Sequence, residues 1–247
     1  MTTARDLIIT AMDVAPGPPA AGELSLALAG AELIDLLAAE AIRLDDGRIV
    51  PGHRPALTDP LLDQATESLT REAPYETVAD WLWRRGLGLA PAYLSALETD
   101  GQLTRRRRGL LPFRTGRTAL VDSPDRRLAG ERWAAQEPVL VALAAAVGIR
   151  DGETDEADEA DEADEAPDEA ADTTAADEAA DTETPNTKTS AAEAPDTAVP
   201  DSEAPDTADD AVETVLVAVN EALLELEAVR QRRSIEQDAF DNVWRGY

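Results

Sequence analysis

The densest chemistry in the chain lies in "LTRRRRGLLPFRTGR", Leu103 to Arg117. Arg105, Arg106, Arg107, Arg108, Arg114 and Arg117 surround an apolar tip made of Leu110, Leu111 and Phe113, with Gly109 and Pro112 as turn signals. Three readings fit these residues. The first is a solvated arginine-rich strand pair whose apolar tip packs on a neighbour. The second is an anionic membrane surface, towards which each Arg contributes about 1 kcal/mol, and where each fully inserted large apolar side chain adds about 1.5–3 kcal/mol. Charge plus an apolar wedge is the two-signal combination that stable anchoring needs. The third is nucleic acid, with the hairpin as the wing of a winged-helix regulator and its arginines on phosphates. Against that third reading, the preceding "PAYLSALETDG" carries no positive charge to serve as a recognition helix. Nucleic acid is therefore the alternative, and an anionic lipid surface the preferred partner.

No other cluster points to catalysis. The single histidine, His53, sits in the Pro-flanked "VPGHRP" and reads as a surface residue. A Gly-rich phosphate loop, a nucleophile elbow and an HExxH pair are all missing from the sequence. The dense carboxylates fall in a low-complexity run that cannot hold catalytic geometry or a folded calcium loop. With no cysteine, disulfides and thiolate zinc sites are excluded, and a reducing compartment is the default. The expectation is a protein that is not an enzyme and takes no metal or cofactor.

The formal net charge of -29 is unevenly spread. Residues 151–210 hold 24 Asp and Glu against one basic residue, Lys188, or -23; the rest has 27 acids and 21 Lys and Arg, or -6. Four "DEA" triplets open this segment and it has no aromatic residue. It cannot bury enough apolar surface to offset chain entropy, so the expectation is a disordered acidic insertion. It reads either as an inert spacer or as a tethered polyanion that competes with the membrane for the arginines.

The elements that must position the hairpin come from apolar periodicity and turn signals. "SLALAGAELIDLLAAEA" predicts a helix with Leu26, Leu28, Leu33, Leu36 and Leu37 near one face, leading into a hairpin turned at Asp45-Asp46-Gly47. "DPLLDQATESLTREA" and "ETVADWLWRR", with Trp81 and Trp83, predict two further helices. A short helix stops at Gly101, and "QLTRRRR" and "FRTGRTALV" then pair as strands. Ser123 and Pro124 open another helix, "EPVLVALAAAVGI" makes one more, and Val212, Val215, Leu216, Val219, Leu223, Leu226 and Val229 form the stripe of a final amphipathic helix. The predicted fold is mainly α, a compact helical domain with short β-hairpins. Residues 1–150 form the domain, 151–210 the acidic segment, and 211–247 a helix returning to the core, with a coiled coil or a membrane-surface helix as the other readings. No window is long and apolar enough to span a bilayer, so any membrane role is peripheral. Heavy use of Ala and Arg with little Lys fits a GC-rich bacterial source.

"DLIITAMD", "LALAGAELIDLLAAEAIRLDDGRIV" and "LTDPLLDQA", followed by the tryptophan helix and "LETDGQLTRRRRGLLPFRTGR", resemble in order and pattern the Golgi phosphoprotein 3 family, in its bacterial branch. The resemblance runs from residue 5 to about 150. It implies a mostly helical peripheral protein of the cytoplasmic membrane face that binds phosphatidylinositol 4-phosphate-type headgroups. It also implies an adaptor role for membrane enzymes such as glycosyltransferases, and a hairpin serving membrane and homo-oligomer contact. The family's headgroup arginine corresponds to Ala29 here, and its tryptophan position falls in "PPAAGEL". The family's arginine pair has its nearest counterpart one segment upstream, in Arg84 and Arg85, the candidate headgroup contacts.

Overall fold

In a computed structural model, residues 2–15, 19–106, 117–150 and 206–245 are described. Helix α1 (Thr3–Asp13) starts at Thr2, whose side chain accepts from the Arg5 N–H. Its next free donors are met from across the fold: the Asp35 carboxylate accepts from the Thr3 and Ala4 N–H groups at 2.8 and 3.2 Å. The continuous run Leu7-Ile8-Ile9 is fully buried, so α1 is a core helix rather than a surface one.

Helix α2 (Ala21–Ala38) is the hub, packing on α1, α4 (Val78–Arg85), α5 (Leu89–Thr99) and α8 (Asp206–Arg245). Its predicted single apolar face is in fact buried all round, from Leu24 to Leu36, because helices cover it on several sides. It ends before the hairpin of β1 (Ile42–Asp45) and β2 (Arg48–Pro51), paired antiparallel with Asp45 opposite Arg48. Asp46 and Gly47, at φ 50 and 69, make the two-residue turn with both central residues left-handed that suits strand twist. Asp59 caps α3 (Pro60–Glu67) by accepting from the Leu61 and Leu62 N–H groups, with Pro60 in the first turn. Thr77 caps α4 in the same way, through Asp80.

After α5 comes the second hairpin, β3 (Leu103–Arg106) with β4 (Arg117–Leu120), whose register pairs Leu103 with Leu120 and Arg106 with Arg117. Ser123 caps α6 (Pro124–Ala134) and Glu137 caps α7 (Pro138–Ala146), each with Pro in the first turn. The described residues thus hold eight helices and two short antiparallel hairpins, a mainly α fold.

Helix α8 runs 40 residues, about 60 Å at 1.5 Å per residue. It opens at Asp206, inside the acidic segment rather than at residue 211. Asp206, Asp209 and Asp210 fall in its first turns, where the positive end of the helix dipole favours acids. Val215 and Val219 are fully buried and Leu223 nearly so, against α2, α4 and α7. The approach to α2 is set by Gly30: a Cβ there would lie 2.4 Å from a Val219 methyl carbon. Gly costs about 1 kcal/mol against Ala in a helix interior, and here it permits close helix packing. Gly30→Val should lower the unfolding free energy by about 1–3 kcal/mol through overpacking, read from the denaturant midpoint at unchanged slope.

Candidate functional site

The base of the arginine hairpin is tied to the core. Leu103 and Leu120 face each other across the ladder and pack, half-buried, against it. The Val121 N–H bonds the Gln102 carbonyl at 2.8 Å, extending the pairing by one link, and the Gln102 amide donates to Asp125 of α6. Arg105, Arg106 and Arg117 fall on the described strands. Arg107, Arg108, Leu110, Leu111, Phe113 and Arg114 lie outside the described residues, as does the acidic segment as far as residue 205.

Arg84 and Arg85 are neighbours in sequence with different surroundings. Arg84 is half-exposed, donates through Nε and Nη2 to the two Glu76 oxygens at 2.7 Å, and lies 5.0 Å above the Trp81 ring. Its hydrogen bond with Glu76 holds its guanidinium above the usual value. Arg85 turns inward. Its Nε and Nη2 donate to both oxygens of the fully buried Glu32 at 2.7 and 2.8 Å, and Nη2 also donates to the Leu61 carbonyl. The Tyr93 hydroxyl donates to the same carboxylate at 3.1 Å. Burial pushes the Glu32 carboxyl up while Arg85 and Tyr93 pull it down. For Arg85, burial lowers the value and the bond to Glu32 more than reverses it. These directions disagree on where the pair's proton sits. The two-pronged geometry, with both carboxylate oxygens accepting, favours the ionised pair. Burial next to that charge pushes the Tyr93 phenol far up, so it remains a donor.

Ala29 is fully buried and its carbonyl accepts from the Trp81 indole N–H at 3.3 Å. A cation at this position would therefore replace a core methyl. His53 is exposed in the loop after β2. Among the described residues no group of three or more His, Cys, Asp or Glu is placed to hold a metal ion, and no helix is long and apolar enough to cross a membrane.

A feature absent from the sequence reading lies beside the hairpin. Between the end of α1, the start of α2 and one side of α5 runs a cavity of about 410 Å³, lined by Met12, Leu24, Pro91, Leu94, Leu103 and, at its edge, Glu98. A second cavity of about 260 Å³ adjoins it, sharing Ala21 and Pro91 and reaching Trp83 and Leu87. Leu87, between Gly86 and Gly88, is 89% exposed. Only the odd spacing of "GLGL", an apolar residue between two glycines, signalled it in the sequence.

A family model described as Golgi phosphoprotein 3 (GPP34) matches residues 4–226. The chain belongs to this family. A comparison with curated proteins finds none that matches. The GPP34 match spans all four strands and most of α8, so the helix beyond the acidic segment is part of the family's domain. Within that frame the headgroup position at Ala29 lies in the core and Arg85 is held by Glu32. The cations free of such interior pairing concentrate, by sequence, at the β3–β4 hairpin.

Proposed function

We propose that this GPP34 protein binds the cytoplasmic face of an anionic membrane peripherally, with the β3–β4 hairpin as its contact. The observation that carries the reading is a hairpin anchored on the core by Leu103 and Leu120, with six arginines within Leu103–Arg117 in a chain otherwise dominated by acids. Such a hairpin presents charge on a stiff base, so little ordering is lost on contact. Family membership supports phosphatidylinositol 4-phosphate-type headgroups as the ligand class and an adaptor role for membrane enzymes such as glycosyltransferases. Because Ala29 offers no charge, the headgroup's phosphate is met by hairpin arginines, with the half-exposed Arg84 as the second candidate.

Flotation with vesicles of phosphatidylcholine alone, and with added phosphatidylglycerol or phosphatidylinositol 4-phosphate, tests this directly. The intact chain should float with the anionic vesicles and not with the neutral ones. Leu110→Asp/Leu111→Asp, which removes the apolar wedge and adds two negative charges, should float at least tenfold less. A gel shift with duplex DNA runs alongside. Binding to DNA without binding to anionic vesicles would end the membrane reading in favour of a nucleic-acid one.

A further inference from the structure

We infer that the groove along α5 is a site for a single hydrocarbon chain, taken from an anionic lipid whose headgroup stays at the arginine hairpin. The inference rests on the membrane reading above for the source of the lipid, and on the geometry of the groove for the chain.

The wall chemistry excludes most other occupants. Near the hairpin the groove is lined by aliphatic side chains, and its two prolines, Pro19 and Pro91, carry no N–H. The first-turn donors of α5 are already used. The Leu89 N–H bonds the Gly86 carbonyl, the Ala90 N–H bonds Ser25 Oγ at 3.0 Å, and the Ala92 N–H bonds the Gly88 carbonyl. Ser25 Oγ in turn donates to the Ala21 carbonyl at 2.7 Å. An extended peptide laid along α5 would find few partners for its own backbone groups, and each one buried without a partner is costly. A hydrocarbon chain makes no such demand.

Shape and placement select the lipid. The two cavities join at Ala21 and Pro91, giving a narrow channel rather than a round pocket. Their volumes, about 410 and 260 Å³, fall in the range of small-molecule sites. At one end stands Leu103, the residue that opens β3 and leads within two positions into Arg105–Arg108, so a chain in the groove places its phosphate at the basic strand. At the other end Leu87 is 89% exposed and Trp83 39% exposed, an apolar residue and an indole of the kind that settles at a bilayer interface. The left-handed Gly88, at φ 74, is the cap from which α5 starts, and so sets where Leu87 stands relative to the groove. Charge at one end, aliphatic walls between and interfacial side chains at the other match one anionic amphiphile.

The test uses the full chain and monomeric oleoyl-lysophosphatidylglycerol, kept below its critical micelle concentration, in calorimetric titrations at several temperatures. Glycerol 1-phosphate, the same charge without the chain, is titrated in parallel. The expected result is one lysolipid per chain with a negative heat-capacity change, the mark of apolar burial, and at least tenfold weaker binding of glycerol 1-phosphate. Ala21→Trp fills the neck shared by the two cavities from an exposed position and should weaken lysolipid binding at least tenfold. Leu94→Lys, half-buried in the wall, should do the same by a different route, and a circular dichroism spectrum identical to the parent's shows that each variant is folded. Equal binding of glycerol 1-phosphate, no binding of the lysolipid, or full binding by both folded variants would overturn the site. Lysolipid binding by a chain that fails to float with anionic vesicles would support the groove while removing the membrane reading on which its lipid source rests.

Discussion

Arg85→Ala is expected to lower the unfolding free energy by about 3–5 kcal/mol, because it leaves Glu32 charged and alone in the core. Glu32 is fully buried and Arg85 is only 14% exposed, so solvent screening does little to soften the loss. Three donor contacts disappear at once, two to Glu32 and one to the Leu61 carbonyl, leaving the Tyr93 hydroxyl as the partner the carboxylate retains. The pH dependence gives a sharper signature than the magnitude. Without Arg85, burial alone acts on Glu32 and raises its folded-state pKa further above the unfolded value. For a carboxyl shifted that way, stability is complete below the unfolded value and lost as pH rises through the folded one. The deficit of Arg85→Ala should therefore shrink on acidification, and adding Glu32→Gln should restore part of the loss at neutral pH. Denaturant titrations of the two single variants and the double variant across pH give the coupling energy. A deficit under 1 kcal/mol, or one that grows towards acid, would show that the pair does not support the junction of α2, α4 and α5.

Replacing Arg105, Arg106, Arg107 and Arg108 together by glutamine is expected to weaken partition onto vesicles containing phosphatidylglycerol by up to about a thousandfold. At about 1 kcal/mol per cation near an anionic leaflet, four arginines amount to about 4 kcal/mol, and each 1.4 kcal/mol is a factor of ten. Glutamine keeps a long polar side chain on the strand, and the ladder from Leu103↔Leu120 to Arg106↔Arg117 is made by backbone groups, so the hairpin base should persist. Two controls separate charge from fold. The salt dependence of vesicle binding should flatten, since screening over about 8 Å has fewer charges left to act on. Lysolipid monomer binding to the groove should fall far less than vesicle binding, because its lining is aliphatic. A change of under threefold on vesicles would remove the hairpin as the contact.

The sequence by itself determined the class of fold and most of its punctuation. Ser123, Thr77 and Asp59 cap helices because short-range oxygen-to-N–H bonds depend only on neighbours two or three residues away. Asp46-Gly47 turned the first hairpin for an equally local reason, the left-handed φ of both residues. The family was legible too, in the ordered blocks "DLIITAMD", "LTDPLLDQA" and the tryptophan helix.

The tertiary structure decided what depends on who lies opposite. Nothing local distinguishes Arg84 from Arg85, yet a helix turns consecutive residues by about 100°, so one meets Glu76 at the surface and the other Glu32 in the core. The apolar residues of α2 point all round the helix, and only the packing of α1, α4, α5 and α8 shows that each side is covered. Gly30 reads as a weak spot in a helix until Val219, far along the chain, is seen to occupy the space of its missing side chain. The groove beside α5 is likewise a product of distance, built from Met12, Leu24, Leu94 and Leu103, which share no motif and meet only because four elements converge.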